Sequence, residues 1–216
     1  MITVEQVWPP YPLQITCGDL SLRVVRDEDL PELIELALAG VHAPDRMPFS
    51  VPWTRQDPAD LPREYVRFHW GSRAAFSRER FSLEFAVRVG GTLVGSQGLS
   101  ASDFAVTRSA GTGSWLGLAH QGRGIGTRMR QAVCVFGFDT LGATELRSSA
   151  FVDNPASLGV SRKVGYRPDG TFVTARDGRA ADEQRLLLRP GWLHRPAEPV
   201  VVTGAEPLLD YLGLRR

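Results

Sequence analysis

One stretch of the chain alternates strictly between apolar and mostly polar residues: FSLEFAVRV, residues 81–89. A period of two is typical of a strand with one buried face. Gly90 and Gly91 then supply a tight turn into a second run, residues 92–102. The pattern therefore predicts an antiparallel β-hairpin in the middle of the chain.

The part before the hairpin has other periods. LSLRVV (residues 20–25) predicts a short strand, and RDEDLPELIELALAG (26–40) predicts a helix whose acidic first turn suits the helix dipole and which ends at Gly40. HAPDRMPFSVPWTRQD (42–57) contains three prolines and no period, which predicts a loop. A helical period resumes over residues 58–77. Loops as long as 42–57 inside compact domains are often functional.

The part after the hairpin alternates strands with helices and contains no internal repeat. Strands are predicted at residues 112–119, 145–152, 171–175 and 184–189, and helices at 124–141 and 154–164. We expect a single domain, residues 1–216, with a core from about residue 20 to 190 and a C-terminal extension at 191–216.

Composition narrows the function classes. With 216 residues, 43% of them apolar, the chain can bury a sizeable core, and a net charge of +1 gives no overall field for nucleic acid or an anionic membrane. Cys17 and Cys134 are far apart, and Cys134 lies in an apolar helical run, which predicts a buried thiol. No signal-like start and no long apolar stretch is present, so we expect a cytoplasmic protein.

The chemistry of the chain centres on HQGRGIGTRMRQAV, residues 120–133. A strand that enters a glycine-rich turn and then a helix presents backbone N–H groups that suit a phosphate or diphosphate. A P-loop is excluded because Thr127-Arg128 follows Gly126 where Lys-Ser/Thr is needed. A dinucleotide fingerprint would need its third glycine at Thr127; Glu145, about twenty residues further on, is the one feature that favours it.

A third pattern, Gln/Arg-x-x-Gly-x-Gly/Ala, is met by Gln121, Gly124 and Gly126. Here the sequence resembles the Gcn5-related N-acetyltransferases (GNAT), and within them the branch that acetylates ribosomal-protein N-termini. The context supports the resemblance: GSWL (113–116) precedes the loop, and DNPAS (153–157) and VGY (164–166) follow it in the expected order. The similarity extends from about residue 20 to 189.

The resemblance implies an α/β (α+β) fold, with a mixed, mostly antiparallel sheet, splayed central strands and about four flanking helices. Acyl-coenzyme A would lie in the splay, with its pantetheine arm along residues 114–116 and its diphosphate on the N–H groups of 122–127. The implied coenzyme-binding residues are Ser114, Trp115, Leu116, Gln121, Gly122, Arg123, Gly124, Ile125, Gly126, Thr127, Asn154 and Ser161. No metal is implied.

Acyl transfer from a thioester to an amine needs an oxyanion donor, a proton donor and a base. The resemblance implies a backbone N–H near Leu116 as the first and Ser157 as the second, while Asn154 could both cap its helix and bind the pantetheine arm. Ser161 could equally bond to its own helix. Where this branch often carries a glutamate, the chain has Gly111, so the base is predicted to be Glu84, on the polar side of its strand.

Two questions stay open for these residues. Glu84 could instead be a solvated strand residue paired with Arg88, and Asp103 is a second choice of base. The loop 42–57 should form the acceptor wall, with Phe49 and Trp53 as apolar lining; the same aromatic residues could simply anchor the loop. His42 and Arg46 would orient a charged group, and Arg46 would also suit a dicarboxylic donor.

The sequence thus favours a GNAT-type N-acyltransferase that moves an acyl group, acetyl by default or succinyl, from coenzyme A to a small-molecule amine, a peptide N-terminus or a lysine. A non-catalytic acyl-CoA sensor is the alternative, followed by a nicotinamide-dependent oxidoreductase. Neither nucleic acid nor a membrane is an expected partner, and the oligomeric state is left open.

Overall fold

The computed structural model describes residues 1–215, which form nine strands and seven helices. The strands are β1 Gln14–Cys17, β2 Leu20–Val24, β3 Arg80–Val89, β4 Thr92–Ser102, β5 Ser109–Leu116, β6 Glu145–Phe151, β7 Arg167–Arg176, β8 Arg179–Leu188 and β9 Val200–Thr203. The helices are α1 Val4–Val7, α2 Leu30–Leu38, α3 Leu61–Ala74, α4 Phe104–Thr107, α5 Ile125–Val135, α6 Pro155–Val164 and α7 Glu206–Leu212.

All nine strands belong to one sheet, in the order β7-β8-β6-β5-β4-β3-β2-β1-β9. Every pairing is antiparallel except that of β5 with β6. The mixed, mostly antiparallel sheet is confirmed, and it does not match the parallel sheet that a dinucleotide-binding fold requires. The predicted β3–β4 hairpin is confirmed as well.

The central strands separate where the sequence places its glycine loop. β5 pairs with β6 only over Ser109–Gly111, opposite Glu145–Arg147. The remainder of β5, as far as Leu116, stays paired with β4 on its other side, while β6 continues along β8. The two strands therefore open like a V, and the glycine loop lies beyond its open end.

The alternation along β3 divides the core into two layers. Phe81, Leu83 and Phe85 pack on the face that α5 and α6 cover. Ala86, together with Leu93 and Leu33, packs on the opposite face, under α2 and α3. These four helices are the longest in the described chain and match the four that the resemblance implies.

The C-terminal segment completes the same sheet and core. β9 pairs with β1, and Leu208 and Leu212 of α7 are buried in the larger core cluster. β1, β9 and α7 were not predicted, since each is too short for its period to stand out. Cys17 and Cys134 are both free and buried, as expected for Cys134. Among residues 1–215, no helix is long and apolar enough to span a membrane.

Several boundaries differ from the predicted ones; β7 and β8, for example, begin at Arg167 and Arg179, whereas strands were predicted from residues 171 and 184. The strand predicted at 112–119 is β5, Ser109–Leu116, because pairing with β6 recruits the weak strand formers Ser109 to Gly111. The helix predicted at 124–141 is regular only to Val135 and continues as one π-helical turn, Phe136–Thr140.

Candidate active site

The V between β5 and β6 opens into a cleft of about 1750 Å³. Its walls are the outer half of β5, the start of α5, the start of α6, the loop that follows α2, and parts of β6 and β8. Most of the residues singled out from the sequence line it: His42, Arg46, Phe49, Trp53, Ser114, Trp115, Leu116, Gln121, Gly122, Gly124, Gly126, Thr127, Asn154 and Ser157.

The glycine loop forms the end of the cleft at the start of α5. Gly122 and Gly124 have φ angles of +74° and +78°, the left-handed region that favours glycine, and nothing lies within 4 Å of the positions their Cβ atoms would take. In the described chain, the five N–H groups of residues 122–126 donate to no protein acceptor. Unpaired N–H groups in a row at a helix start are an anion site.

The other residues of this loop have more varied places. Gln121 Nε2 donates to the carbonyls of Val41 (2.7 Å) and Leu116 (2.9 Å), so its amide ties the end of β5 to the loop after α2. The Ile125 side chain is buried, and Arg123 is exposed without lining the cleft. These two residues can contribute their backbone to the site, but their side chains are not placed in the cleft.

The start of α6 brings Asn154 and Ser157 together. Asn154 Oδ1 accepts the Ser157 N–H at 3.1 Å, which is a helix N-cap, and Pro155 takes the first helical position. Ser161 departs from the expectation. It is 1% exposed, does not line the cleft, and its hydroxyl has no hydrogen-bond partner in the described chain. One turn of helix beyond Ser157, the side chain has rotated into the protein interior.

Arg130 of α5, which the sequence did not single out, lies in the wall of the cleft at 4% exposure. Its guanidinium donates to Ser114 Oγ at 2.7 Å, and more weakly to Ser148, Thr112 and Gln97 at 3.3–3.4 Å. No carboxylate in residues 1–215 lies within 4.0 Å of it. The sequence did not indicate that Arg130 would line a cleft, because the residue occupies an ordinary position in a helical pattern.

Aromatic rings form the opposite wall. The rings of Phe49 and Trp53 are 5.3 Å apart, and Trp53 is 5.6 Å from Trp115 and 5.8 Å from Tyr65, measured between centroids. His42 joins this row at 5.9 Å from Phe49. The loop residues therefore line the cleft and at the same time anchor the loop to β5 and α3.

Glu84 does not line the main cleft. Its carboxylate lies over Gly98 of β4, whose Cβ would come within 2.9 Å of Glu84 Oε2, and it accepts a hydrogen bond of 2.8 Å from Ser82 Oγ. Burial raises its pKa above the ordinary value. Arg88 pairs with Asp29 and Glu32 instead. Asp103 precedes α4 and lines no part of the cleft.

His69 of α3 shares a small crevice of about 20 Å³ with Glu84. It is 4% exposed, and its Nε2 has no partner in the described chain. Burial, helped by the charge of Arg73, lowers its pKa to about 4. His69 is therefore neutral at pH 7.

Glu183 of β8 also lines the cleft, at 5% exposure, and was not predicted. Its Oε1 accepts a short bond of 2.6 Å from Ser149 Oγ, and Ser50 Oγ of the loop approaches at 3.4 Å. A sequence signal was absent because Glu183 sits in an edge hairpin whose residues are mostly polar and exposed.

Comparison with known proteins gives a consistent result. A protein-family model described as "Acetyltransferase (GNAT) domain" matches residues 19–167, more than half of the chain.

Several solved structures share the fold at low identity. RimJ of Mycobacterium smegmatis, in complex with CoA-disulfide, has a TM-score of 0.70 at 22% identity, covering 94% of this chain and 95% of that one. A spermidine N-acetyltransferase from Vibrio cholerae, in complex with CoA and spermine, has a TM-score of 0.59 at 18% identity, with 81% and 98% covered. A GCN5-related N-acetyltransferase from Brucella melitensis has a TM-score of 0.64 at 18% identity, with 83% and 82% covered.

Proposed function

The chain belongs to the Gcn5-related N-acetyltransferase family, and from this premise we propose that its cleft binds an acyl-coenzyme A and passes the acyl group directly to an amine. The observation that carries the proposal is the row of five N–H groups at the start of α5 that have no acceptor within residues 1–215, beside the splay of β5 from β6. A diphosphate and an extended arm fit these two features together.

Each part of the coenzyme has residues that would hold it. The N–H groups from Gly122 to Gly126 would hold the diphosphate, with the charge of Arg123 nearby; the Thr127 N–H, also expected here from the sequence, already donates to the Gly124 carbonyl at 3.1 Å. The edge of β5 at residues 114–116, which β6 leaves unpaired, would take the pantetheine arm as an added strand. Asn154, at the start of α6, would bind the same arm.

Acyl transfer then requires a donor for the oxyanion, a proton donor for the departing thiolate and a base for the amine. A backbone N–H of β5 near Leu116 would stabilise the oxyanion, and Ser157 would give a proton to the departing thiolate. Most of the rate would come from holding the amine and the thioester in attack geometry between the two walls of the cleft.

Glu84 remains our proposed base. It would act across two glycines that follow it on the neighbouring strands, Gly98 and Gly113, which we call the glycine trough. Glu84 pairs with Gly98 of β4, and Gly98 pairs with Gly113 of β5, which lines the cleft. Neither glycine carries a side chain, and neighbouring strands lie about 4.8 Å apart. The Glu84 carboxylate lies over Gly98, so a single water between Gly98 and Gly113 would connect it with an amine above Gly113.

Acetyl-CoA is the default acyl donor, and the arginines of the cleft support a dicarboxylic acyl-CoA as a second donor. Arg130 is a buried cation without a carboxylate partner in the described chain, and Arg46 also lines the cleft. A dicarboxylic acyl group such as succinyl would supply the missing charge. The acceptor is a primary amine, carried by a small molecule, a peptide N-terminus or a lysine.

The proposal is tested by following free thiol release from acetyl- and succinyl-CoA with a panel of polyamines, N-terminal peptides and lysine peptides. We expect amine-dependent turnover with at least one pairing. Tight binding of the thioester without turnover across the panel would favour a non-catalytic acyl-CoA module instead.

A further inference from the structure

A carboxylate without a cation lies in the wall of the cleft. Glu183 is 5% exposed, and within residues 1–215 no Lys, Arg or His nitrogen comes within 4.0 Å of it. One short hydrogen bond from Ser149 is its only close support. An ionised carboxylate has about four acceptor positions, so most of its capacity remains unused. A carboxylate that is buried to this extent calls for an opposite charge.

Two of the basic residues that line the cleft are engaged elsewhere. Arg55 pairs with Asp177 at 2.9 Å, and Arg176 pairs with Asp153 at 2.7 Å. Both of these carboxylates are thereby neutralised, whereas Glu183 is not. Among the acidic side chains that line the cleft, Glu183 is the one that combines burial with the lack of a basic partner in the described chain.

The neighbourhood of Glu183 adds a second feature that favours a cation. Ser50, which approaches the carboxylate, directly follows Phe49, the first ring of the row that continues through Trp53 to Trp115. All three rings line the same cleft. Aromatic faces attract cations through their quadrupole, and Trp is the strongest of them.

We propose that Glu183, with the rings of Phe49, Trp53 and Trp115, forms a subsite that binds an ammonium group of the acceptor. Glu183 is then an acceptor-binding residue, and it selects substrates that arrive as cations. This inference rests on the proposed function for the identity of its ligand as the acceptor, but the cation site itself follows from the residues alone.

The test uses n-butylammonium chloride as the probe and the neutral butan-1-ol as its isostere. The full chain, labelled with ¹⁵N at tryptophan, reports binding through the indole N–H signals. We expect n-butylammonium to shift the signals of Trp53 and Trp115 while those of Trp8, Trp70 and Trp192, which do not line the cleft, stay in place. Butan-1-ol should bind at least about tenfold more weakly.

Glu183→Gln keeps the shape and removes the charge, and we expect it to weaken n-butylammonium binding about tenfold or more. Asp182→Asn, at the exposed neighbouring position of β8, is the matched control and should leave binding unchanged. Equal binding of the two probes to the wild-type chain, or unchanged n-butylammonium binding in a folded Glu183→Gln variant, would overturn the inference.

Coenzyme A affinity, measured on the same samples, separates this inference from the function. Coenzyme A binding without ammonium selectivity would remove the subsite and leave the acyltransferase proposal standing. Ammonium selectivity without coenzyme A binding would keep the subsite and remove the acyltransferase.

Discussion

Ser157 and Ser161 show how one turn of a helix separates two serines. Ser157 faces the cleft beneath the cap of Asn154, while Ser161 is buried with an unpaired hydroxyl. The sequence placed both on one face of a helix, but among the α6 residues that line the cleft, which extend from Pro155 to Lys163, Ser161 is not included. Their replacements should therefore have different consequences.

Ser157→Ala should lower turnover at least about tenfold, since it removes the proposed proton donor, while coenzyme A affinity stays close to that of the parent. Ser161→Ala is the control. It removes a buried hydroxyl without a partner and should raise the free energy of unfolding by up to about 1 kcal/mol with turnover unchanged. Steady-state kinetics and urea unfolding measure both effects; equal turnover in Ser157→Ala and the parent would exclude the acid role.

His69 makes stability depend on pH. Its pKa is lowered from 6.5 to about 4 in the folded chain, so the unfolded chain binds more protons between these values. Stability is therefore fully present above pH 6.5 and is lost as the pH falls towards 4, by about 3 kcal/mol in total. Glu84, whose pKa is raised, acts in the opposite sense above its unfolded value of 4.5.

We expect His69→Phe to lose less stability than the parent between pH 6.5 and pH 4, because the titrating group is gone. Urea unfolding at several pH values measures the slope. His120→Phe, at a partly exposed position whose side chain has no hydrogen bond within the described chain, serves as control and should keep the slope of the parent. An identical slope in the His69 variant would show that other groups cause the acid sensitivity.

The three strands β3, β4 and β5 together make the glycine trough that links Glu84 to the cleft. If Glu84 is the base, only its ionised form accepts the proton, and its raised pKa places the acidic limb of the kcat/KM profile above pH 4.5. Glu84→Gln should lower kcat at least about tenfold and remove this limb. Glu79→Gln, on the exposed turn before β3, should leave the profile unaltered. A profile that keeps its acidic limb in Glu84→Gln would assign the base to another group.

A side chain introduced at Gly113 would occupy the glycine trough. Nothing lies within 4 Å of the position that a Cβ at Gly113 would occupy, and its backbone is ordinary strand, so Gly113→Val should fold normally. Its side chain would displace the amine by an ångström or more and lower turnover about 100-fold, with coenzyme A affinity changed little. Full turnover in this variant would place the reaction away from the trough.

The periodicity of apolar residues predicted those elements whose pattern is contained within one continuous segment of the sequence. The β3–β4 hairpin, the helices α2 and α6, and the glycine loop were found because each carries its own signal. Arg130 and Glu183 were missed because their burial depends on strands that are distant in the sequence. Arg130 lies beside the opening between β5 and β6. The pairing of β8 with β6 places Glu183 against Ser149. The short β1 and β9 likewise form a strand pair across most of the chain length.

Across the whole molecule, the cleft separates two kinds of chemistry. Unpaired N–H groups and the buried Arg130 lie on the side of α5, and aromatic rings and Glu183 lie on the side of the loop. This polarity suits an anionic donor on one side and a cationic acceptor on the other. The splay of β5 from β6 is where the two sides meet.

The central claim is that the glycine loop binds the diphosphate of coenzyme A. Calorimetric titration of the wild-type chain with coenzyme A, and with NAD in parallel, tests it most directly. Gly124→Ala adds a methyl group in front of the N–H row, and Gly90→Ala is its match, since both glycines have positive φ and open space around the missing Cβ. Each should cost about 1 to 2 kcal/mol of backbone strain.

We predict that coenzyme A binds the wild-type chain and the Gly90→Ala variant alike, that Gly124→Ala weakens it at least about tenfold, and that NAD does not bind. Equal coenzyme A affinity in all three proteins, or binding of NAD in its place, would contradict the account.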